Sequence, residues 1–322
     1  MYYHVNGEVV PAEEATVSVR DRGFLYGDAA FETLRAYGGS IFELEDHLER
    51  LQRTCETLGM EKAVPADLLE RIAETLAAND LEDAYVRVSV TRGTQPGKLT
   101  PQPEVSPSVI VIVDSLPRGG REGSSVWDDP ATVETVETWA MPDAAIPAGA
   151  KTHNYLNGIL ARLELRDPES AMAASTTSRT DGTDAPASTD PDEERRPADE
   201  ALLREESGAI TEGATSNVFF VSDRVLRTPS AEGPLLPGIT RSVVLDLAAS
   251  EGIPTETGSY ALEDCHEAEE CFLTNTTWEL RPVTRLDDRA IPTGDGENEG
   301  KGGPITRQLA DAFDTIVERR HY

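Results

Sequence analysis

Lys151 is the residue of this sequence best placed for covalent chemistry. It is one of only four lysines, and it lies between a Pro/Gly/Ala segment and a predicted helix that begins near Asn154. A lysine amine that forms a Schiff base needs a lowered pKa, which partial burial near helix-end dipoles supplies. A lone lysine is more often a solvated surface group, so the hypothesis depends on companion residues.

Three further segments could hold an anionic or aromatic ligand. Residues 237–238 make a turn, after which Ile239 and Thr240 open a predicted helix whose free N–H groups could bind phosphate. Residues 274–277 place three hydroxyls and an amide between two predicted strands. Glu212 could face the ring nitrogen of an aromatic cofactor and keep it protonated. Taken singly, each segment is better explained as an ordinary turn or helix start.

The net charge of −30 excludes several classes of function. Binding nucleic acid needs clustered Lys and Arg, so we predict no nucleic-acid partner. The sequence has no membrane-spanning apolar run and no signal-peptide pattern, which predicts a cytoplasmic protein. The cysteines and histidines lack metal-ligand spacing, so we predict no metal site. Acidic residues throughout and few lysines suggest adaptation to a salt-rich cytosol; an ordinary acidic protein is the alternative.

The 322 residues and the order of predicted elements favour an α+β protein of two domains. Hairpins, amphipathic helices and strands predict a small N-terminal α/β domain over residues 1–115. A Gly/Pro/Arg-rich stretch, 116–125, is the predicted interdomain linker. Residues 126–322 are predicted to form a larger, β-rich domain with flanking helices that carries the ligand site. Within it, residues 167–198 predict a disordered acidic insertion, with a regulatory or partner-binding loop as the alternative.

Six segments occur in a characteristic order and span nearly the whole chain outside the predicted insertion. They read RGFLYGDAAFETLR, HLERL, KTHNYLNGILA, ITEGATSNVFF, LPGITR and TNTTWELRPV. Together they resemble the class-IV aminotransferase family, the pyridoxal-phosphate (PLP) enzymes of fold type IV. The resemblance implies an enzyme with PLP as its cofactor, a two-domain fold and a homodimeric assembly.

The resemblance also implies roles for individual residues at the cofactor. Lys151 would attach PLP covalently and later move protons, and Glu212 would pair with the pyridine nitrogen. Tyr155 would reach the phenolic oxygen, although it lies four residues after the lysine, whereas the branched-chain enzymes have five. The implied phosphate contacts are Arg50, Ile239, Thr240 and Thr276, and Ser216 and Asn217 complete the implied cofactor-binding set.

Departures from the family's motifs help to choose among its members. The D-amino-acid aminotransferases hold the substrate carboxylate with Arg and His where this sequence has Gly97 and Leu99, so a D-amino acid is the least favoured substrate. Thr33, the short spacing from lysine to tyrosine, and the Thr-Asn pair at 274–275 resemble 4-amino-4-deoxychorismate lyase. A branched-chain L-amino acid aminotransferase remains the alternative, because the strand around Arg87 resembles its substrate-carboxylate strand.

As a lyase, the protein would convert aminodeoxychorismate into pyruvate and the folate precursor 4-aminobenzoate. Lys151 would act as general base, and Thr33 would assist the leaving oxygen. As an aminotransferase, the same site would exchange an amino group with 2-oxoglutarate. A non-catalytic binding protein with a PLP-enzyme fold is the third alternative. The predicted substrate residues are Phe31, Arg35, Arg87, Arg92 and Thr277, with the arginines holding carboxylates.

Overall fold

The computed structural model of the chain describes residues 1–118, 126–166, 197–294 and 299–322. Most of the predicted linker and residues 167–196 of the predicted insertion lie outside these ranges. Across the described ranges, no helix is long and apolar enough to cross a membrane. The same residues contain no cluster of three or more His, Cys, Asp and Glu side chains that could hold a metal ion.

The N-terminal part of the chain forms an antiparallel sheet of six strands within the described residues. The pair Asn6-Gly7 is a sequence signal for a tight two-residue hairpin, and both residues have the positive φ that such a turn requires, 53° and 106°. The strands, in the sheet order β2-β1-β6-β5-β3-β4, are β1 (Tyr2–Val5), β2 (Glu8–Pro11), β3 (Ala29–Tyr37), β4 (Ser40–Ile41), β5 (Ala84–Thr91) and β6 (Ser108–Ser115).

Two helices cover one face of this sheet, α2 (Leu44–Thr57) and α3 (Leu68–Ala78), and a short α1 (Arg22–Tyr26) precedes β3. The helical spacing seen in the sequence is confirmed, because Leu51 and Cys55 are buried against the valines of β5 and β6. Alternate residues of β3 and β5 point to the opposite face. That face, opposite the two helices, is the one that carries the functional residues described below.

The C-terminal part of the chain forms a mixed sheet of nine strands within the described residues. Eight of them follow the order β12-β11-β10-β13-β14-β7-β8-β9, and β15 pairs with β14. The strands are β7 (Ala131–Thr135), β8 (Glu200–Arg204), β9 (Ile210–Gly213), β10 (Asn217–Ser222), β11 (Val225–Pro229), β12 (Thr255–Gly258), β13 (Glu270–Asn275), β14 (Glu279–Leu286) and β15 (Arg289–Ala290).

Four helices flank this sheet: α4 (Leu156–Glu164), α5 (Ile239–Ser250), α6 (Leu262–His266) and α7 (Pro304–His321). The core between the sheet, α5 and α7 is apolar, and the rings of Phe219 and Phe272 stack within it at a centroid distance of 5.0 Å. Burial of these side chains supplies most of the driving force for this part of the fold.

Several predicted boundaries differ from the structure. The Thr/Val/Glu alternation over residues 131–139 predicts a strand, which ends at Thr135. Ala198, assigned to the insertion over 167–198, is buried and leads into β8. The elements α1, β12 and α6 did not stand out in the sequence. Their four or five residues are too few to establish a hydrophobic period.

Gly93 follows the end of β5 in a conformation that tolerates no side chain. Its φ is +83°, and a Cβ atom there would lie 1.8 Å from the carbonyl oxygen of Ser106. We expect Gly93→Ala to lower the free energy of unfolding by about 2–4 kcal/mol in denaturant titrations followed by circular dichroism. Gly97→Ala is the matched control, because a Cβ there meets nothing within 4 Å. Equal stability of the two variants would contradict this account.

Candidate active site

The backbone of Lys151 joins the two parts of the chain. Its carbonyl oxygen accepts a hydrogen bond from the Phe31 N–H (3.0 Å), and the His153 N–H donates to the Ala29 carbonyl (2.9 Å). The Lys151 N–H donates to the Thr54 hydroxyl of α2 (3.1 Å). Since β4 pairs only with the far end of β3, the lysine segment occupies the free edge of β3. The position of the lysine is therefore fixed by the small domain.

The Lys151 amine projects into a cavity between the two sheets. It donates to the Tyr155 hydroxyl at 3.1 Å, and it lies 4.6 Å from the centroid of the Phe31 ring. The rings of Tyr155 and Phe31 meet edge to face at 5.3 Å. The amine thus has a neutral hydrogen-bond partner and an aromatic floor, and its remaining side faces the cavity.

Glu212, on β9, lies in the wall of the same cavity. Its Oε2 accepts a hydrogen bond from the Leu236 N–H at 3.0 Å, and the Asn217 amide lies 3.5 Å away. Burial raises the pKa of Glu212 to about 8, even though the Leu236 N–H and the Lys151 charge act in the opposite direction. A cation beside this carboxylate would favour its ionised form. A protonated pyridine nitrogen is such a cation.

Arg50, on α2, reaches the cavity from the small domain. Its guanidinium donates to both carboxylate oxygens of Glu32, at 2.7 and 2.8 Å, and to the carbonyl of Pro237 at 3.0 Å. Burial alone would raise the pKa of Glu32, but hydrogen bonds from Arg50 and His47 lower it to about 2. The ion pair therefore persists over the working pH range and holds Arg50 rigidly beside the N-terminus of α5.

The N-terminus of α5 completes a seat for an anion. Gly238 is its N-cap and supplies no side-chain cap, so the first N–H groups, at Ile239 and Thr240, face the cavity. The close approach of Asn217 requires the glycine, because a Cβ at Gly238 would lie 2.0 Å from the Asn217 amide oxygen. Within the described residues, the buried hydroxyl of the neighbouring Thr274 also has no hydrogen-bond partner.

These residues fit PLP. An amine, a partly buried carboxylate and an anion seat line one cavity of about 160 Å³. Lys151 would hold the aldehyde carbon, Glu212 the pyridine nitrogen, and Arg50 with the start of α5 the phosphate. Thr276, Ser216 and Asn217, which the resemblance assigns to cofactor binding, also line this cavity.

A second cavity adjoins the first and shares Lys151 and Tyr155 with it. Its floor is the face of the small sheet opposite helices α2 and α3, where Thr33 of β3 pairs with Arg87 of β5. The Arg87 guanidinium lies 3.9 Å from the centroid of the Phe31 ring. The remaining walls are Tyr85, His153, Thr215, Asn275, Thr276, Thr277 and Trp278. This cavity is the candidate substrate site, because it opens from the lysine amine away from the anion seat.

Four of these wall residues were missed in the sequence: Tyr85, His153, Thr215 and Trp278. Tyr85 could have been found, because it lies two residues before Arg87 on a strand and therefore shares its face. His153 follows the lysine by two residues. Burial and the nearby Arg87 charge lower the pKa of His153 to about 4, so its ring is neutral at pH 7.

Two arginines predicted to bind substrate, Arg35 and Arg92, line neither of the two cavities described here. Arg35 is buried and donates to the carbonyls of Thr277 (3.0 Å) and Leu116 (3.1 Å). Arg92 forms a two-point ion pair with Asp28, at 2.8 and 3.0 Å. Both terminal nitrogens of Arg35, and the Nε and one terminal nitrogen of Arg92, thus donate to protein groups. Arg87 remains the predicted arginine at the substrate cavity.

Comparison with known proteins places the chain in a family. Residues 29–174 and 192–286 match the family model described as "Amino-transferase class IV". The chain belongs to this family of PLP-dependent enzymes, which confirms the predicted family, enzyme class and cofactor and leaves no ground for the non-catalytic alternative. The unmatched stretch, 175–191, falls inside the predicted insertion.

Two relatives with different activities in their names match this chain over nearly their whole length. A provisionally named branched-chain-amino-acid aminotransferase of Methanocaldococcus jannaschii is 32% identical, covering 98% of this chain and 96% of that protein. The D-alanine aminotransferase of Staphylococcus haemolyticus is 29% identical and covers 98% of each.

Solved structures confirm the predicted fold, that of the fold-type-IV enzymes. The branched-chain aminotransferase of the thermophilic archaeon Thermoproteus uzoniensis, solved with norvaline, superposes with a TM-score of 0.78 at 28% identity, covering 98% of this chain and 94% of that one. A Legionella pneumophila protein provisionally named 4-amino-4-deoxychorismate lyase shares the fold, with a TM-score of 0.74 at 21% identity over 94% of this chain and 96% of that one.

The raised pKa of Glu212 gives a pH-dependent prediction for the cofactor-free protein. Between pH 4.5 and 8 the folded chain keeps a proton on Glu212 that the unfolded chain releases, so this group costs stability as the pH rises. Glu212→Gln mimics the protonated form. We expect it to match the parent protein at pH 5 and to exceed its free energy of unfolding by about 2–4 kcal/mol at pH 9. A difference independent of pH would contradict this prediction.

Proposed function

We propose that the chain is a PLP-dependent 4-amino-4-deoxychorismate lyase. The observation that carries the proposal is the placement of Thr33: its side chain lines the same cavity as Lys151 and Arg87. The substrate has a cyclohexadiene ring and two carboxylates, and its ether oxygen must leave. The cavity offers a hydroxyl for that oxygen, a cation for a carboxylate, and aromatic walls for the ring.

The proposed reaction divides the chemistry among these residues. Bound PLP supplies an electron sink for the carbon that carries the substrate amino group. The Lys151 amine removes a proton from the substrate ring, and the Tyr155 hydroxyl, 3.1 Å away, orients that amine. The Thr33 hydroxyl donates a hydrogen bond to the ether oxygen as the C–O bond breaks. Arg87 holds a carboxylate. Enolpyruvate leaves and takes up a proton to become pyruvate, and the ring, now aromatic, is released as 4-aminobenzoate.

An L-amino acid aminotransferase is the second candidate, and the 32% identical relative from M. jannaschii favours it. The same Arg87 could bind the single carboxylate of such a substrate, and Phe31 and Trp278 could surround an apolar side chain. A D-amino acid is less favoured, because Gly97 and Leu99 stand where the D-amino-acid aminotransferases carry the Arg and His that hold the substrate carboxylate. For either candidate we propose a cytoplasmic location, which is the expectation from the sequence.

One pair of assays distinguishes the two candidates. We expect the holoenzyme, given aminodeoxychorismate and no 2-oxo acid, to release pyruvate and 4-aminobenzoate in equal amounts. Lys151→Ala is the control and is expected to give no product and no visible cofactor band. Brisk exchange between leucine and 2-oxoglutarate, with no turnover of aminodeoxychorismate, would assign the aminotransferase instead.

The role of Thr33 can be tested separately. Thr33→Val keeps the shape of the side chain and removes the hydroxyl. We expect kcat of the lyase reaction to fall by about 10²- to 10³-fold, while the visible band of the bound cofactor stays unchanged. Thr33→Ser keeps the hydroxyl and is expected to retain most activity. A valine variant with near-normal kcat would remove Thr33 from the mechanism.

We further propose that the chain forms a homodimer through the exposed face of α4. Four apolar side chains at helical spacing are 47–59% exposed there: Leu156, Ile159, Leu160 and Leu163. Helix α1 adds Phe24, 71% exposed, and a Cβ at Gly27, just after α1, would lie 3.8 Å from the backbone of Asn154. A continuous apolar stripe on a chain of net charge −30 is typical of a surface that another protein covers.

A charge placed in this stripe tests the dimer. We expect Ile159→Glu to shift the protein from dimer to monomer in sedimentation velocity, because the interface would bury an unpaired carboxylate. Leu69→Glu, at an exposed apolar position on α3 (45% exposed), is the control and is expected to leave the dimer intact. A monomeric parent protein, or an Ile159→Glu dimer of unchanged stability, would refute this interface.

A further inference from the structure

Glu200 is a fully buried carboxylate that the proposed reaction does not use. It is the first residue of β8, and it lies behind the turn 213–216, which forms part of the cofactor cavity wall. Buried carboxylates are costly unless every oxygen is hydrogen-bonded. The contacts of Glu200 therefore indicate what the charge holds in place.

Each oxygen of Glu200 serves a different part of the cavity wall. Oε1 accepts from the Ala201 N–H (3.0 Å) and from the Arg162 guanidinium of α4 (3.1 Å). Oε2 accepts from the Thr215 N–H (3.1 Å), the Thr215 hydroxyl (2.6 Å) and the Ser216 hydroxyl (3.0 Å). The carboxylate thus links the turn 213–216 to the helix that begins just after Tyr155.

The turn is built closely around this carboxylate. A Cβ at Gly213 would lie 2.4 Å from the Ser216 hydroxyl and 2.9 Å from Cγ of Glu200, so only glycine fits. Gly213 directly follows Glu212, and Thr215 lines both the cofactor and the substrate cavity. The charge of Glu200 also contributes to the raised pKa of Glu212.

We propose that Glu200 is a positioning residue for bound PLP. It fixes the turn that follows the carboxylate for the pyridine nitrogen, and through Arg162 it fixes α4, at whose start Tyr155 lies beside the lysine amine. The distance between Glu212, on one side of the cofactor seat, and Tyr155, on the other, is thereby fixed. This role rests on the PLP cofactor of the family and applies equally to a lyase and to an aminotransferase.

Glu200→Gln is the informative change, because a glutamine cannot reproduce the hydrogen bonds. Both carboxylate oxygens accept a backbone N–H, from Ala201 on one side and Thr215 on the other. In either orientation the glutamine NH₂ group faces one of these donors. The side chain keeps its size, so the disturbance is confined to the turn and the charge.

The chain offers a matched control in Glu270. It is also buried, and both of its oxygens accept a backbone N–H, from Ile305 (3.0 Å) and Thr306 (2.7 Å). It lies at the start of β13, whereas the cavity residues of that strand lie at its other end. Glu270→Gln creates the same mismatch of donors without touching the cofactor seat.

The experiment measures PLP affinity and the visible band of the bound cofactor as a function of pH. We expect Glu200→Gln to raise the Kd for PLP at least about tenfold and to shift the pH midpoint of the band by roughly half a unit or more. Glu270→Gln is expected to lower Tm while leaving both readouts within error of the parent protein. An unchanged Kd, an unmoved midpoint, or an equal change in both variants overturns the proposal.

If Glu200→Gln does not fold, two variants that each remove a single contact of Glu200 test the proposal instead. Arg162→Gln removes the guanidinium contact from a half-exposed position outside the cavity, and Thr215→Val removes the 2.6 Å hydroxyl bond. Each is expected to raise the Kd for PLP about threefold. A Kd that is unchanged in both variants overturns the proposal.

Discussion

The rest of the site depends on a short stretch of backbone pairing between the lysine segment and strand β3. Two hydrogen bonds place Lys151 on the small sheet, although the lysine belongs in sequence to the large domain. The amine, the aromatic floor and the substrate-facing side chains of β3 therefore share one rigid frame. The cofactor seat adds residues of the large sheet to that frame, which explains why neither domain contains a complete site.

Two carboxylates near the lysine segment, Glu32 and Glu212, differ in how their charge is stabilised. Glu32 is paired with Arg50 and its pKa is held near 2, so it serves as a permanent anchor for the guanidinium at the phosphate seat. Glu212 has no such partner in the described part of the protein, and burial raises its pKa to about 8. A cationic atom of a ligand would therefore be needed to stabilise the negative charge of ionised Glu212. The contrast identifies the end of the cavity at which a ring nitrogen is stabilised.

Much of this arrangement could be predicted from the sequence, because the cofactor residues lie within short segments of characteristic order. Lys151, Glu212 and the start of α5 line one cavity as predicted. Arg35 and Arg92 could not be assigned, because a strand residue's face does not reveal which distant carbonyl or carboxylate its guanidinium will meet. Arg35 finds its acceptor at Thr277, 242 positions away. Contacts of that kind depend on the packing of the two domains.

The Phe31 ring contacts two basic groups, with the Arg87 guanidinium at 3.9 Å and the Lys151 amine at 4.6 Å from its centroid. The substrate cavity is therefore a small positive region inside a chain of net charge −30. An anionic substrate meets repulsion at long range and attraction only near the ring. Salt screens the long-range field more strongly than short contacts. Capture of a carboxylate substrate should accordingly quicken as ionic strength rises, the reverse of ordinary electrostatic steering.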